Sequence, residues 1–125
     1  MCLYIEENSK IRVTTEDITC YKNVYYLNSE VVQSSWYSKI YEFGKEYVEE
    51  LQTIPEFNTI DIGFHSYIHK DNAIEKIDGD DWRADGNTTV ECTIPKGSRY
   101  WKGITNSYKN YCSNRIIINK IIYQR

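Results

Sequence analysis

Much that would name a location or a reaction is missing from this sequence. No stretch approaches the roughly 18 consecutive apolar residues that a membrane-spanning helix needs. The start, Met1-Cys2-Leu3-Tyr4-Ile5-Glu6-Glu7, lacks a basic segment followed by an apolar one, so a secretion signal is not expected. Proline is scarce, at 2 residues in 125, and no repeat, low-complexity tract or linker divides the chain. One domain over residues 1–125, with a core of its own, is the expectation. Cys2, Cys20, Cys92 and Cys112 are too far apart for a CxxC pair, which argues against zinc. Without a secretion signal they are expected as reduced, half-buried thiols of a cytoplasmic protein. Cys2 as an N-terminal nucleophile would need a much larger framework, and it opens an apolar run resembling a strand.

An excess of either charge is lacking too. Fifteen Lys and Arg against 18 Asp and Glu leave a formal −3, which excludes bulk DNA coating and is too mild for an acidic nucleic-acid mimic. Tyrosine, by contrast, is plentiful at 12 residues, together with Asn, Ile and Lys. Part of that bias is what an AT-rich genome produces. The tyrosine ring nevertheless suits strands, interfaces and ligand walls, because it is apolar with a polar tip.

Strand patterns dominate. Ile11–Thr14 reads as a short extended piece, Thr15–Asp17 as a turn, and Ile18–Tyr26 as a run of β-formers broken by Asn28-Ser29-Glu30. Residues 31–41 are ambiguous, since Val31, Val32, Trp36 and Ile40 approach helical spacing while "SSWYSKIYEF" alternates. Gly44 separates an extended Ile40–Phe43 from an extended Glu46–Leu51. Ile60–Tyr67 reads as one strand with Gly63 inside it, where a bulge or close backbone approach is expected. Asp71 is placed to cap a short helix whose apolar face is Ala73, Ile74 and Ile77. Loop chemistry follows in "DGDDWRADGNTT", then a strand Thr89–Ile94, a turn through Pro95-Lys96-Gly97, a second strand from Arg99, and a β-branched run over 114–123. The expected fold class is α+β, a single domain dominated by antiparallel strands with one or two short helices.

The residues that carry chemistry are few. In "GFHSY", strand alternation puts His65 and Ser66 on opposite faces, so they form no dyad, and no nucleophile elbow supports a Ser-His-Asp triad. His65, His69 and Asp71 resemble a metal set only loosely, and structural histidines are the expectation, with no metal or cofactor. The stretch Asp78–Arg83 has Trp82 at the fifth position of a calcium loop and no glutamate at the twelfth, so a solvated turn is expected. Ile94–Gly103, "IPKGSRYWKG", is the best ligand candidate. Lys96, Arg99 and Lys102 suit phosphate, and Tyr100 or Trp101 suits stacking on a base. The order of a P-loop is absent, so nucleotide hydrolysis is not indicated. Lys109 and Arg115 join that patch only if the fold brings them there. A hairpin with inward aromatics and solvated cations is the competing structural explanation.

The order of "DITCYK", "GFHSY", "IPKGSRYWKG" and "CSNRIII" resembles short uncharacterised proteins of bacteriophages and gut bacteria. That resemblance implies a phage-linked protein of the host cytoplasm, in which counter-defence is a common role, and transfers no catalytic residues. "GFHSY" followed by an alanine-containing helix is also similar to ADP-ribosyltransferase-like folds, with Glu91 as the late glutamate but no ExE or QxE pair.

The resulting expectation is a non-enzymatic binding protein that holds a nucleotide-like, phosphorylated small molecule near His65, Tyr67, Lys96, Arg99, Tyr100, Trp101 and Lys102. Arg99 would neutralise phosphate, an aromatic would stack on the base, and His65 or Ser66 would hydrogen-bond. Two alternatives stand beside it. One is a protein-binding inhibitor of a host enzyme that displays Trp36, Tyr37 or Trp101. The other is an NAD-using transferase. A tyrosine-rich strand edge would also suit a homodimer.

Overall fold

Runs of β-branched and aromatic residues, alternating in burial, produce thirteen strands and a single helix among the described residues. The structure is a computed structural model that describes residues 3–5, 10–34, 39–54, 59–79, 86–105 and 108–125. In chain order the elements begin with β1 (Leu3–Ile5), β2 (Arg12–Val13), β3 (Ile18–Tyr26), β4 (Val31–Ser34), β5 (Ile40–Glu42), β6 (Glu46–Val48) and β7 (Gln52–Ile54). They continue with β8 (Thr59–Ile62), β9 (Phe64–Tyr67), α1 (Lys70–Asp78), β10 (Thr88–Ile94), β11 (Arg99–Thr105), β12 (Tyr108–Ser113) and β13 (Arg115–Gln124). Every strand pairing is antiparallel. The molecule is thus mainly β, and the α+β expectation holds only in its antiparallel strands and lone helix. No described helix is long and apolar enough to cross a membrane.

The strands form one sheet in the order β6-β13-β10-β3-β9-β12-β11-β1-β8-β7, with β2 added to β11 and the β4–β5 arm to β3. Chain connectivity forces that sheet to curl twice. β8 and β9 are joined by Gly63 alone, yet β12, β11 and β1 lie between them. In a flat sheet four strand spacings would hold them roughly 19 Å apart, whereas two Cα steps reach at most about 7.6 Å. The segment expected as one strand is therefore broken at Gly63, whose φ of +145° lies outside ordinary strand geometry. At the other end Phe43-Gly44-Lys45 links β5 to β6, and the Tyr41 and Tyr47 rings meet edge-on at 5.0 Å. Those two strands do not pair with each other; β5 pairs with β4 and β6 with β13.

The two curls share a narrow seam, since β3 and β9 are registered only at Tyr21 and Tyr67. Beyond that pair Lys22 fills the gap, its ammonium donating to the His65 carbonyl at 2.5 Å. Strand alternation then sorts the side chains. One face carries the main core, including Cys20, Val24, Phe64, Val90, Cys92, Ile94, Ile116 and Ile118. On the β3–β10 part of the opposite face lies α1, with Ala73 and Ile77 fully buried. Asn23 ties it down, donating to the Ala73 carbonyl at 2.9 Å and accepting from the Thr89 hydroxyl at 2.8 Å. The helix begins two residues earlier than the sequence suggests. His69 is its N-cap, without a side-chain bond, and Asp71 sits in the first turn instead of capping it. Cys20, Cys92 and Cys112 are free thiols, fully buried and not half-buried as expected. Cys2, Trp36, Tyr37 and Trp82 lie outside the described residues.

Candidate functional site

Three strands bring together residues that are far apart in sequence. On β9 and β12, His65 stands opposite Cys112, and on β12 and β11, Cys112 stands opposite Trp101. The next row on the same face is Tyr67, Asn110 and Gly103, one from each strand. This face lies inside the smaller curl. Gly63 belongs to it as well, since a Cβ there would meet Cys112 Sγ at 2.5 Å and Leu51 Cδ2 at 2.6 Å. Leu51 and Trp101 pack on the fully buried Cys112 as a small cluster separate from the main core.

The polar atoms on this face are unusual. Among the described residues, His65 Nδ1 and Nε2, Trp101 Nε1 and Asn110 Oδ1 are buried without a hydrogen-bond partner. His65 as a residue is half-buried, but its ring nitrogens are closed off from water. Burial, assisted by the Lys22 ammonium, lowers its pKa from 6.5 to about 3, so the imidazole is neutral near pH 7. Burial pushes the Cys112 thiol up to about 12, so it stays protonated near pH 7. The face therefore offers two N–H donors, from imidazole and indole, and two acceptors, from imidazole and the Asn110 amide.

Strand alternation divides the residues singled out in the sequence. Arg99 and Trp101 share a face of β11, while Tyr100 and Lys102 take the other. Tyr100 is in the main core, its ring edge-on to Tyr111 at 5.6 Å, and so cannot stack on a ligand. Lys102 is half-buried on that same opposite side. Tyr67 is 5% exposed and packs edge-on against Tyr108 at 6.1 Å, closing one end of the polar row. Arg99 is exposed, two residues or about 7 Å along the strand from Trp101. Lys96 is exposed on the preceding turn, which is fixed by its own N–H donating to Asp17 at 2.8 Å. His65, Tyr67, Arg99 and Trp101 thus belong to one face, with Lys96 at its turn. Lys109 is exposed on the opposite face, and Arg115 is held by Glu46 at 2.6 Å.

Comparison with known proteins finds no matching family model, curated protein or solved structure. The site therefore stands on its geometry. Asn110 and Cys112, which complete it, carry no ligand-binding signal in the sequence. Only the β9–β12–β11 register makes them neighbours of His65 and Trp101. Among the described residues no group of three His, Cys, Asp or Glu is arranged to hold a metal ion. Glu91 pairs with Lys120 at 3.7 Å on β10, two strands from β9.

On the opposite face, Ser66 lies against Cys20, which stands directly across from Cys92. Burial, followed by the adjacent Cys20 sulfur, raises the Cys92 thiol well above its ordinary pKa. His65 and Ser66 are thus on different faces with different neighbours, as alternation requires.

Proposed function

We propose that this protein is a non-enzymatic binding domain for a planar, hydrogen-bonding heterocycle carrying a phosphate, a nucleotide-like small molecule. The supporting observation is the group of four buried, unpartnered polar atoms on the face of His65, Trp101 and Asn110. Leaving one such atom unpaired costs about 1–3 kcal/mol, so four on one face are a burden that a bound ligand would relieve. Two donors beside two acceptors suit the edge of a nucleobase or another cyclic amide. A neutral imidazole favours a neutral ring over a carboxylate, and Arg99 at the exposed end of the same face suits the phosphate. Uptake of a nucleotide signal in a host cytoplasm, as a counter-defence binder would perform it, fits this chemistry.

A melting-temperature screen against nucleotides tests the reading, since a ligand at a hundredfold excess over Kd adds about 2.7 kcal/mol of stability. His65→Phe should abolish the ligand-induced shift while raising the stability of the free protein by roughly 1–3 kcal/mol, because two orphaned nitrogens are removed. Trp101→Phe keeps an aromatic ring but loses the N–H together with the five-membered half of the indole, and should weaken binding at least tenfold. A panel that never moves the melting temperature, combined with a destabilised His65→Phe variant, would refute the proposal.

A further inference from the structure

On the far side of β9 from the polar row, three aromatic rings surround one ammonium. Lys39 Nζ lies 4.7 Å from the centroid of Phe64, 5.6 Å from that of Tyr47 and 5.9 Å from that of Tyr41. All three distances fall within the range of a cation–π contact. The rings are set at steep angles to one another, Tyr41 to Tyr47 at 90° and Tyr41 to Phe64 at 62°, so they form walls and not a stack. They come from three separate strands, β5, β6 and β9, that only the curl of the sheet assembles. The walls are also fixed. Tyr41 and Phe64 are 3% and 1% exposed, and the Tyr47 hydroxyl accepts the Glu42 N–H at 2.7 Å. Burial, reinforced by the charge of Glu49, raises the pKa of Tyr41, so that wall stays neutral.

Lys39 has no ion-pair partner among the described residues, and its charge is held by the rings. Two further ammoniums sit at the margins, Lys22 at 6.0 Å from Tyr41 and Lys45 at 5.4 Å from Tyr47. Lysine is a poor choice for such a recess on intrinsic grounds, because a primary ammonium is strongly hydrated. It stays because it is tethered, and a short tether supplies a millimolar effective concentration. A methylated ammonium loses less hydration on entering and presents more surface to the rings, which is why aromatic cages select it. Exchange with Lys39 would leave the local charge unchanged, so Lys22 and Lys45 would not oppose it. Tyr47 and Lys39 are only half-buried, which puts the entrance on their side.

We propose that Tyr41, Tyr47 and Phe64 form a binding site for a methylated or quaternary ammonium group, with Lys39 as the built-in occupant that such a ligand displaces. The probe is tetramethylammonium chloride, followed by proton NMR, with sodium chloride and methylammonium chloride as controls. Lys39→Ala empties the recess and should bind tetramethylammonium at least tenfold more tightly than the wild-type chain, with an upfield ring-current shift of the methyl signal. Methylammonium should bind more weakly than tetramethylammonium. Lys39→Met refills the recess with an uncharged chain and should bind no better than wild type. In the wild-type protein the Lys39 Cε protons should start upfield and move to the ordinary lysine position as tetramethylammonium is added. That measurement decides the matter alone if Lys39→Ala does not fold. A folded Lys39→Ala that gives no ring-current shift overturns the proposal, as do wild-type Lys39 protons that respond no more to tetramethylammonium than to sodium.

Discussion

A histidine kept neutral by its surroundings makes stability depend on acid. The ordinary pKa of 6.5 applies to His65 in the unfolded chain, and burial lowers it to about 3 in the folded one. Between those values the unfolded state binds a proton that the folded state refuses, so stability falls as pH drops through this window. The slope from His65 is at most about 1.4 kcal/mol per pH unit. Above pH 6.5 the group is neutral in both states and contributes no slope. Urea unfolding at a series of pH values should therefore show a steep loss below 6.5 that His65→Phe flattens. An identical slope in both proteins would place the titrating group elsewhere. None of this is visible in "GFHSY" itself. Alternation alone separates His65 from Ser66, but the row His65–Cys112–Trp101 exists only through cross-strand pairing of residues distant in sequence.

Single elements show where local sequence decides and where it does not. β3 and β10 match expectation within a residue, because nine and seven consecutive residues rich in Thr, Ile, Val and Tyr leave little alternative. The break at Gly63 is different. Apolar residues alternate at 60, 62 and 64 across Gly63, so the sequence suggests at most a bulge there, and only the placement of β8 and β9 with three strands between them reveals a corner. Gly63→Ala should cost about 2–4 kcal/mol, combining the φ of +145° with overlap on Cys112 and Leu51. Thermal unfolding measures this, and a loss below about 0.5 kcal/mol would mean that the corner is relaxed by neighbouring shifts. Helix α1 offers the complementary case. Its apolar face is legible, but its anchorage through Asn23 is not, because that bond joins residues 50 apart. Asn23→Ala strands the Ala73 carbonyl and the Thr89 hydroxyl, and should lower stability by roughly 2–3 kcal/mol. Hydrogen exchange should then accelerate throughout α1 before it does in β10.

At the scale of the whole molecule, composition and alternation were enough for an antiparallel, strand-dominated domain with a short helix. Strand order was not accessible, since side-chain periodicity says which face a residue takes and nothing about which strand lies beside it. That limit also governed the candidate site. In the sequence Tyr100 and Lys102 group with Trp101 by proximity, and alternation in β11 separates them from it and from His65. Asn110 and Cys112 enter only through pairing across the sheet.

The one-residue corner between β8 and β9 also bears on how the chain reaches this state. Both strands are made early, but their places in the sheet are set by β11 and β12, which follow some 40 residues later. Until those are synthesised, β9 has β3 as a neighbour at a single pair and β1 has only β8. Such long-range closure is slow compared with hairpin formation. Half-made chains would therefore display strand edges that the finished sheet covers, which makes the interval before β12 emerges the period of greatest exposure to aggregation.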